Sequence, residues 1–355
     1  MTASEEYAEK ELLRIEALIL KEYETAYKDL LLIILDYMRR FVLKDQKWEQ
    51  WVKEGKKTEE DHRNWRIGQL VVGEKWENLK KQMSIDMFHS NLNARAIISE
   101  NLGAIYGENF NFQTYQLEKE SGLDTFFQIY NRDSFNYIAA NDPDLLPPPG
   151  KKLADQIKKK LDEGIDIRWN KKTIQSVMMQ GILQGMSIPH LSEHLAEAVN
   201  DTNKKAATRN ARTMATGAYN AGANSAYIRA QNHGLNIKKT WVATLDMRTR
   251  HTHRLLDGVT VDVDQPFETE FGKIQYPGDP AADPADVFNC RCTTISQLKG
   301  YEIDVQGFKN RNDPNVEGMS YEEWKKSKKV ISKPIMSQKK KSERIRAARA
   351  AEYRR

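Results

Sequence analysis

The segment from residue 240 to residue 296 constrains the fold more than any other part of this 355-residue chain. It holds the chain's two cysteines, Cys290 and Cys292, and two closely spaced histidines, His251 and His253. A disulfide between cysteines two positions apart would be strained, and such neighbours cannot join distant parts of a chain. We therefore expect reduced thiols, as in a protein that is made in the cytosol.

Short strands and turns are predicted within this segment. The residues from Thr240 to Thr244 favour a half-buried strand because Trp, Val and Thr suit a pleated surface. Leu256 to Val263 alternates around Asp257-Gly258, which predicts a small hairpin. Pro277-Gly278-Asp279-Pro280 is typical of a further turn. Together they predict a small α+β domain at residues 238–299.

Two interpretations of the special side chains in this segment stay open. His251, His253, Cys290 and Cys292 offer two imidazoles and two thiolates, a set suited to tetrahedral Zn²⁺. In the alternative the thiols are buried and inert, no cofactor is bound, and charged side chains hold the domain together, with Arg291 pairing with Asp246 or Asp257. The members of that structural charge network would be Asp246, Arg248, Arg250, Asp257 and Arg291.

The N-terminal third has a helical pattern. Thr58 and Asp61 form a capping-box pattern that predicts a second helix, which would carry Trp65, Val72, Trp76, Leu79 and Met83. A third helix is expected from about Asn91 to Leu102, ending at Gly103. Before these, apolar residues recur at steps of three and four and predict one long first helix with a buried stripe: Leu12, Ile15, Ile19, Tyr23, Tyr27, Leu31, Ile34, Met38 and Phe41.

The middle of the chain is also helical by pattern. Pro147-Pro148-Pro149-Gly150 marks a boundary, and helices are predicted at 151–161, 170–183 and 187–199, the last with Ser187 as N-cap. A further helix at 203–232 would end before Gly234. Small residues at helical steps predict that another helix approaches this one closely: Ala207, Ala211, Ala215, Ala218, Gly222 and Ala226.

Charge is concentrated at the C-terminus. Residues 321–355 hold thirteen Lys and Arg against four Glu, whereas the whole chain has a net charge of +5. The longest apolar run, Leu30 to Leu35, is too short for a membrane span, and the start of the chain has no signal pattern. Such a charge run is either a solvated tail or a contact with nucleic acid. The candidate DNA-binding residues are Lys339, Lys340, Lys341, Arg344, Arg346 and Arg349.

Several pieces of the chain recur in an order that resembles the phage Mu protein F-like family, the minor head or head-morphogenesis proteins of tailed phages. The pieces are the W-V-A-T-L-D strand, Asp246-x-Arg248-Thr249-Arg250-x-x-His253, Leu256-Asp257-Gly258, Pro277-Gly278-Asp279-Pro280 and Asn289-Cys290-Arg291-Cys292. The G-x-S-I-x-x-L-x-x-x-L run from Gly185 to Leu195 is similar to the helical segment that precedes the family's C-terminal domain.

The resemblance implies a non-enzymatic virion component beside the portal vertex inside the head, acting in assembly, DNA packaging or ejection. Its implied partners are the portal protein, a major capsid or scaffolding protein and double-stranded phage DNA, with the host cytoplasm as its place before assembly. The implied architecture is mainly α: a helical N-terminal region at 1–146, a helical middle region at 147–237, the α+β domain at 238–299, and a linker with the basic tail at 300–355.

Two other classes of function remain as alternatives. One is a head-associated enzyme: a nuclease that uses His253 with Asp246 or Asp257, or a zinc-dependent hydrolase. His190, Glu193 and His194 match the H-x-x-E-H pattern of inverted zinc proteases, although the family resemblance explains this segment without a metal. The other is an accessory protein that binds DNA through the basic tail.

Overall fold

The computed structural model describes residues 2–122, 129–130, 168–298, 319–328 and 330–331. Within these, the parts of 16–97 and 150–208 form one compact unit, and the parts of 1–15, 98–149 and 209–355 form another. The predicted class is confirmed, because the chain is mainly α with a long helical N-terminal region and a small region that contains strands towards the C-terminus. The domain boundaries proposed from sequence stay predictions.

The helices of the described residues vary widely in length, and three of them are very long. In chain order they are α1 Ala3–Met38, α2 Val42–Lys53, α3 Glu59–Leu70, α4 Glu74–Ser121, α5 Arg168–Leu183, α6 Ile188–Asn232, α7 His251–Leu256, α8 Pro284–Val287 and α9 Tyr321–Ser327. Among them, none combines the length and apolar composition that crossing a bilayer requires.

The strands are short. They are β1 Ile129–Tyr130, β2 Ile237–Val242, β3 Thr260–Asp262, β4 Phe267–Thr269, β5 Gly272–Ile274, β6 Thr293–Leu298 and β7 Val330–Ile331. Strand β2 is the centre of a three-stranded antiparallel sheet in the order β3-β2-β6, with Trp241 opposite Thr294. Strands β4 and β5 form a hairpin, and β1 pairs in parallel with β7.

The apolar stripe of α1 is buried as predicted along most of its length. Ile15, Ile19, Tyr23, Ile34 and Met38 are all buried. The helix ends at Met38, three residues before the predicted stripe does, and α2 begins at Val42. In the first compact unit α1 packs against α4, α5 and α6 in a helical core.

The capping box at Thr58 is confirmed, but the helix that it opens is shorter than predicted. The Thr58 hydroxyl accepts from the Asp61 N–H at 3.0 Å, and the Asp61 carboxylate accepts from the Thr58 N–H at 3.0 Å. Helix α3 then ends at Leu70, and Gly73 takes a φ of +90°, which interrupts the helical conformation before α4 begins. The predicted single helix from Thr58 to Met83 is therefore two helices, because a left-handed backbone cannot continue a helix.

Two predicted helix ends are wrong. Helix α4 runs through Gly103 to Ser121, since the flanking residues Leu102 and Ala104 are buried and packing outweighs the low helix propensity of one glycine. Helix α6 starts next to Ser187 as predicted but continues without a break to Asn232, so the two helices predicted at 187–199 and 203–232 are one. The helix predicted at 151–161 lies outside the described residues.

The stripe of small residues on α6 makes the close contact that its spacing predicts. A Cβ added at Gly222 would lie 2.3 Å from the Tyr106 carbonyl oxygen and 3.2 Å from the Phe110 nitrogen, both in the backbone of α4. The helix ends with Gly234 at a φ of +94°. The Leu235 N–H reaches the Ala230 carbonyl at 3.2 Å, which completes the predicted C-terminal cap.

The turn at Asp257-Gly258 is present, but the predicted hairpin around it is wrong. Gly258 has a φ of +75°, and the turn links α7 to β3. Strand β3 pairs with β2, not with a neighbour across the turn. Leu256, predicted to lie in the hairpin, is instead the last residue of the short helix α7.

Candidate metal centre

Three of the four predicted metal ligands lie together in the interior. The Nδ1 atom of His253 is 3.6 Å from the Cys290 sulfur and 3.5 Å from the Cys292 sulfur. All three ligand atoms lie within 4.8 Å of one another. The side chains are buried, and both cysteines are free thiols. The Cys-x-Cys segment therefore folds back onto helix α7, since Cys290 lies 37 residues after His253 in the sequence.

The two cysteines are positioned by the residues around them. Asn289 takes a left-handed φ of 58° directly before Cys290, and its N–H donates to the Thr213 hydroxyl at 3.0 Å. The Asn220 side-chain amide donates to the Cys292 carbonyl at 3.0 Å. Because Thr213 and Asn220 lie on α6, the long helix holds the cysteine segment from one side, and β6 begins immediately after it.

The other edge of the His253 ring faces a buried carboxylate. His253 Nε2 is buried without a hydrogen-bond partner and lies 3.6 Å from Asp286 Oδ1, slightly beyond hydrogen-bond distance. Asp286 is 1% exposed and accepts from the Thr252 hydroxyl at 3.2 Å and from the Thr269 hydroxyl at 2.5 Å. The imidazole thus lies between two sulfur atoms on one side and a carboxylate on the other.

An apolar wall encloses these groups. The Trp241 ring packs edge-on against the His253 ring, with centroids 5.2 Å apart, and against Phe267 at the same distance. Cys290 and Cys292 belong to the same buried cluster as Trp241 and Leu256. The groups are therefore shielded from bulk solvent, and electrostatic interactions among them are stronger than they would be at the surface.

The two thiols have very different acidities. The pKa of Cys292 is lowered, chiefly because the Cys290 thiol donates a hydrogen bond to its sulfur, with a smaller contribution from His253. The pKa of Cys290 is raised, because its S–H donates a hydrogen bond to the Cys292 sulfur and because the site is buried. One member of the pair is therefore readily ionised, which favours binding of a cation.

The predicted charge network forms in part. Arg291 donates two hydrogen bonds to the Asp246 carboxylate, at 2.6 and 2.7 Å, which lowers the Asp246 pKa well below its usual range. Arg248 lies 3.9 Å from the same carboxylate. Arg250 instead donates to the Phe288 carbonyl, and Asp257 accepts from the Ala243 N–H at 2.8 Å. Of the two aspartates offered as partners of Arg291, the structure selects Asp246.

His251 does not join the buried ligands. It is exposed and borders a surface groove of about 610 Å³ that Leu255, Phe267 and Glu268 also line. On the short helix α7 it lies two residues before His253, and residues at that spacing do not share a helix face. The H-x-x-E-H residues do not form a compact ligand cluster either: His190 and Glu193 are exposed, and in the described part of the chain the ligand atoms that cluster are those of His253, Cys290 and Cys292.

Two buried charged residues near the site were not predicted. Asp286 lies in a segment whose sequence gives no signal beyond a proline and an N-cap aspartate, Asp283, at the start of α8. Lys239 is fully buried on β2, where its ammonium donates to the Gln275 carbonyl at 2.8 Å and to Asn224 Oδ1 at 3.2 Å. A lysine between Lys238 and Thr240 has the pattern of an exposed strand residue, so the sequence alone could not identify Lys239 as buried.

The six candidate DNA-binding residues from Lys339 to Arg349 lie outside the described residues.

Comparison with known proteins points to one family. Residues 172–295 match the family described as Phage Mu protein F like protein, a range that contains the buried ligands and the Asp246–Arg291 pair. The chain is 25% identical over 272 residues to the minor head protein GP7 of Bacillus phage SPP1, covering 74% of this chain and 83% of that protein.

A second curated relative carries the name of an enzyme. The chain is 31% identical over 211 residues to the NAD(+)–arginine ADP-ribosyltransferase EFV of Enterococcus faecalis, covering 59% of this chain. It spans only 40% of the length of that protein. No solved structure matches the chain.

Proposed function

Residues 172–295 belong to the Phage Mu protein F-like family, and on that basis we propose that this chain is a minor head protein that binds the portal vertex from inside a phage head. The observation that carries the proposal is the extent of the similarity to the SPP1 minor head protein, which covers 83% of that protein and reaches well beyond the family range. Its proposed roles are head assembly, DNA packaging or DNA ejection, after synthesis in the host cytoplasm.

Exposed leucines at the junction of α1 and α2 support a protein partner. Leu32, Leu35 and Leu43 are 66%, 43% and 80% exposed, although they belong to helices whose other face is already buried in a core. Leu32 and Leu35 are three positions apart in α1 and so lie on one face of it, and adjoining exposed apolar side chains commonly mark a protein interaction site. We assign this surface, residues Leu32, Leu35 and Leu43, to the contact with the portal protein; a major capsid or scaffolding protein is the further proposed partner.

The basic tail supports a contact with the packaged genome. Six basic side chains of the tail would release counterions from DNA phosphates on binding: Lys339, Lys340, Lys341, Arg344, Arg346 and Arg349. The proposed affinity for double-stranded DNA therefore falls steeply as the salt concentration rises. This contact carries no sequence specificity, because phosphate contacts do not read base edges.

A structural role is proposed over an enzymatic one because the candidate catalytic histidine is enclosed. His253, which the nuclease alternative pairs with Asp246 or Asp257, is 1% exposed, so a substrate cannot reach its ring without opening the site. ADP-ribosyltransferase activity belongs to the name of the Enterococcus faecalis relative, and this chain spans only 40% of that protein. We assign none of the groups described above to that activity.

Co-purification with the portal protein of the same phage tests the proposal. The chain and a tagged portal are produced together, and the amount of chain bound per portal ring is measured after size-exclusion chromatography. The unchanged chain is expected to elute with the portal, and Leu32→Asp/Leu35→Asp to lose at least tenfold of the bound amount. Leu255→Asp is the matched control, since Leu255 is 66% exposed in the other compact unit, and it should bind like the unchanged chain. A folded, unchanged chain that elutes apart from the portal would overturn the proposal.

A further inference from the structure

We propose that His253, Cys290 and Cys292 bind one Zn²⁺ ion through Nδ1 and the two sulfurs, with Asp286 orienting the imidazole from behind. This inference rests on the geometry of the buried cluster and is independent of the proposed portal contact. It names a three-residue protein site in which His251 takes no part.

The distances between the ligand atoms fit a zinc ion. Typical zinc bonds are about 2.3 Å to sulfur and about 2.0–2.1 Å to imidazole nitrogen, so tetrahedral angles place nitrogen and sulfur about 3.6 Å apart. The measured separations from His253 Nδ1 are 3.6 Å to Cys290 and 3.5 Å to Cys292. An ion could therefore be bound with little movement of these side chains.

The surroundings of His253 fit a metal-bound imidazole. Zinc on Nδ1 requires the proton to be on Nε2, and this atom is buried without a hydrogen-bond partner, 3.6 Å from Asp286 Oδ1. Metal-binding histidines usually donate their second ring N–H to a carboxylate or carbonyl, which fixes the tautomer. A small rotation of the ring would convert this approach into that hydrogen bond.

The chemistry of the donors selects the metal. Two thiolates and an imidazole are soft or borderline ligands, which prefer Zn²⁺ to the hard cations Mg²⁺ and Ca²⁺. Two thiolates also neutralise the charge of the ion, so its burial beside Trp241 leaves no net charge on the first coordination sphere. The three protein donors supply three of the four ligands of a tetrahedral zinc ion.

Zinc at this position would connect two separate pieces of the small sheet-containing region. It would join α7, through His253, to the segment that precedes β6, through Cys290 and Cys292. Metal that binds only the folded form stabilises that form by mass action. The site is therefore expected to be a structural brace for the part of the chain that has only short strands.

Metal analysis of the full-length chain, purified with its thiols reduced and without chelators, tests the site. The unchanged chain is expected to contain about one zinc per chain by inductively coupled plasma mass spectrometry. His253→Ala and the double variant Cys290→Ser/Cys292→Ser should lose it. His251→Ala is the matched control and should keep it, and Asp286→Asn should weaken zinc affinity by about 10- to 100-fold in a chelator competition.

Two outcomes would overturn the site: no zinc in the unchanged chain after growth with added zinc, or full zinc retention in the double cysteine variant. If the cysteine variants do not fold, X-ray absorption spectroscopy of the zinc in the unchanged chain identifies the ligand atoms and their distances. Two sulfurs at about 2.3 Å and a nitrogen at about 2.0–2.1 Å support the site, whereas a shell of nitrogen and oxygen alone overturns it.

Discussion

The Arg291 guanidinium donates two hydrogen bonds to the Asp246 carboxylate, at 2.6 and 2.7 Å. Arg291 is the residue between the two cysteines, and Asp246 lies in the turn that follows β2. The ion pair therefore holds the cysteine segment against the end of the central strand. Two parallel hydrogen bonds fix its geometry more firmly than a single contact would.

Asp246→Asn should lower the melting temperature at pH 7, and this effect should shrink in acid. The Asp246 pKa is lowered in the folded state, chiefly by Arg291, so the stabilisation is fully present above the unfolded pKa of about 3.9, declines as pH falls below that value, and is lost only as pH falls through the lowered folded pKa. Thermal unfolding from pH 7 to pH 3 measures the difference between the two proteins. Asp262→Asn, which removes the single 3.1 Å contact to Lys238, is the control and should change little. The gap should be smaller at pH 3 than at pH 7; a gap of the same size at both pH values would contradict the assignment.

Lys239 should make the stability of the chain rise with pH above about 8. Burial lowers its pKa to about 8, only partly opposed by Asp279 and Asp264, so the unfolded chain binds more protons than the folded chain between this value and about 10.4. In this window the stability of the unchanged chain should gain up to about 1.4 kcal/mol per pH unit relative to Lys239→Met.

Urea unfolding at pH 7, 8.5 and 9.5 measures this difference. Lys238→Met is the matched control, because Lys238 is the neighbouring residue on β2 and pairs at the surface with Asp262. It should keep the pH dependence of the unchanged chain. A Lys239→Met variant with the same pH dependence would show that Lys239 is not the cause.

Gly222→Ala should destabilise the chain by about 1–3 kcal/mol or more. Its Cβ would meet the Tyr106 carbonyl oxygen at 2.3 Å, and a backbone atom of α4 cannot move aside as a flexible side chain can. Gly68→Ala is the control: it lies in α3 with nothing within 4 Å of the added Cβ, so it should stabilise by up to about 1 kcal/mol. Equal unfolding midpoints in urea for the two variants would contradict the close packing of α4 and α6.

Thr58→Ala should cost about 1 kcal/mol in the free energy of unfolding, because it removes the acceptor for the Asp61 N–H at the start of α3. Thr25→Ala is the matched control, since Thr25 is an exposed residue within α1 whose hydroxyl only donates to the Lys21 carbonyl. It should be neutral or slightly stabilising, because alanine is the better helix former. Denaturant unfolding of both variants checks the difference.

Local signals in the sequence predicted those features that depend on nearby residues. The stripe of α1, the cap at Thr58 and the end of α6 at Gly234 follow from helical periodicity and capping chemistry. The small residues of α6 also predicted a close helix contact correctly, because their effect is steric and leaves few alternatives. Gly103 was misinterpreted, since burial between neighbouring helices overrides the propensity of one residue.

Features that depend on distant parts of the chain could not be predicted in the same way. Strand β2 pairs with β6, more than fifty positions later in the sequence, and no local pattern specifies that partner. His251 is grouped with His253 by ligand chemistry alone, but the two lie on the helix α7, where residues two apart do not share a face. Asp286 approaches the His253 ring only through the tertiary fold, so its place in the site was found from the structure.

Chemical cross-linking with mass spectrometry on purified phage particles tests the proposed function most directly. The chain is expected in DNA-filled heads, with Lys28 and Lys44, which flank the surface formed by Leu32, Leu35 and Leu43, cross-linked to the portal protein. Absence of the chain from both filled and empty heads, or cross-links confined to tail proteins, would contradict a minor head protein at the portal vertex.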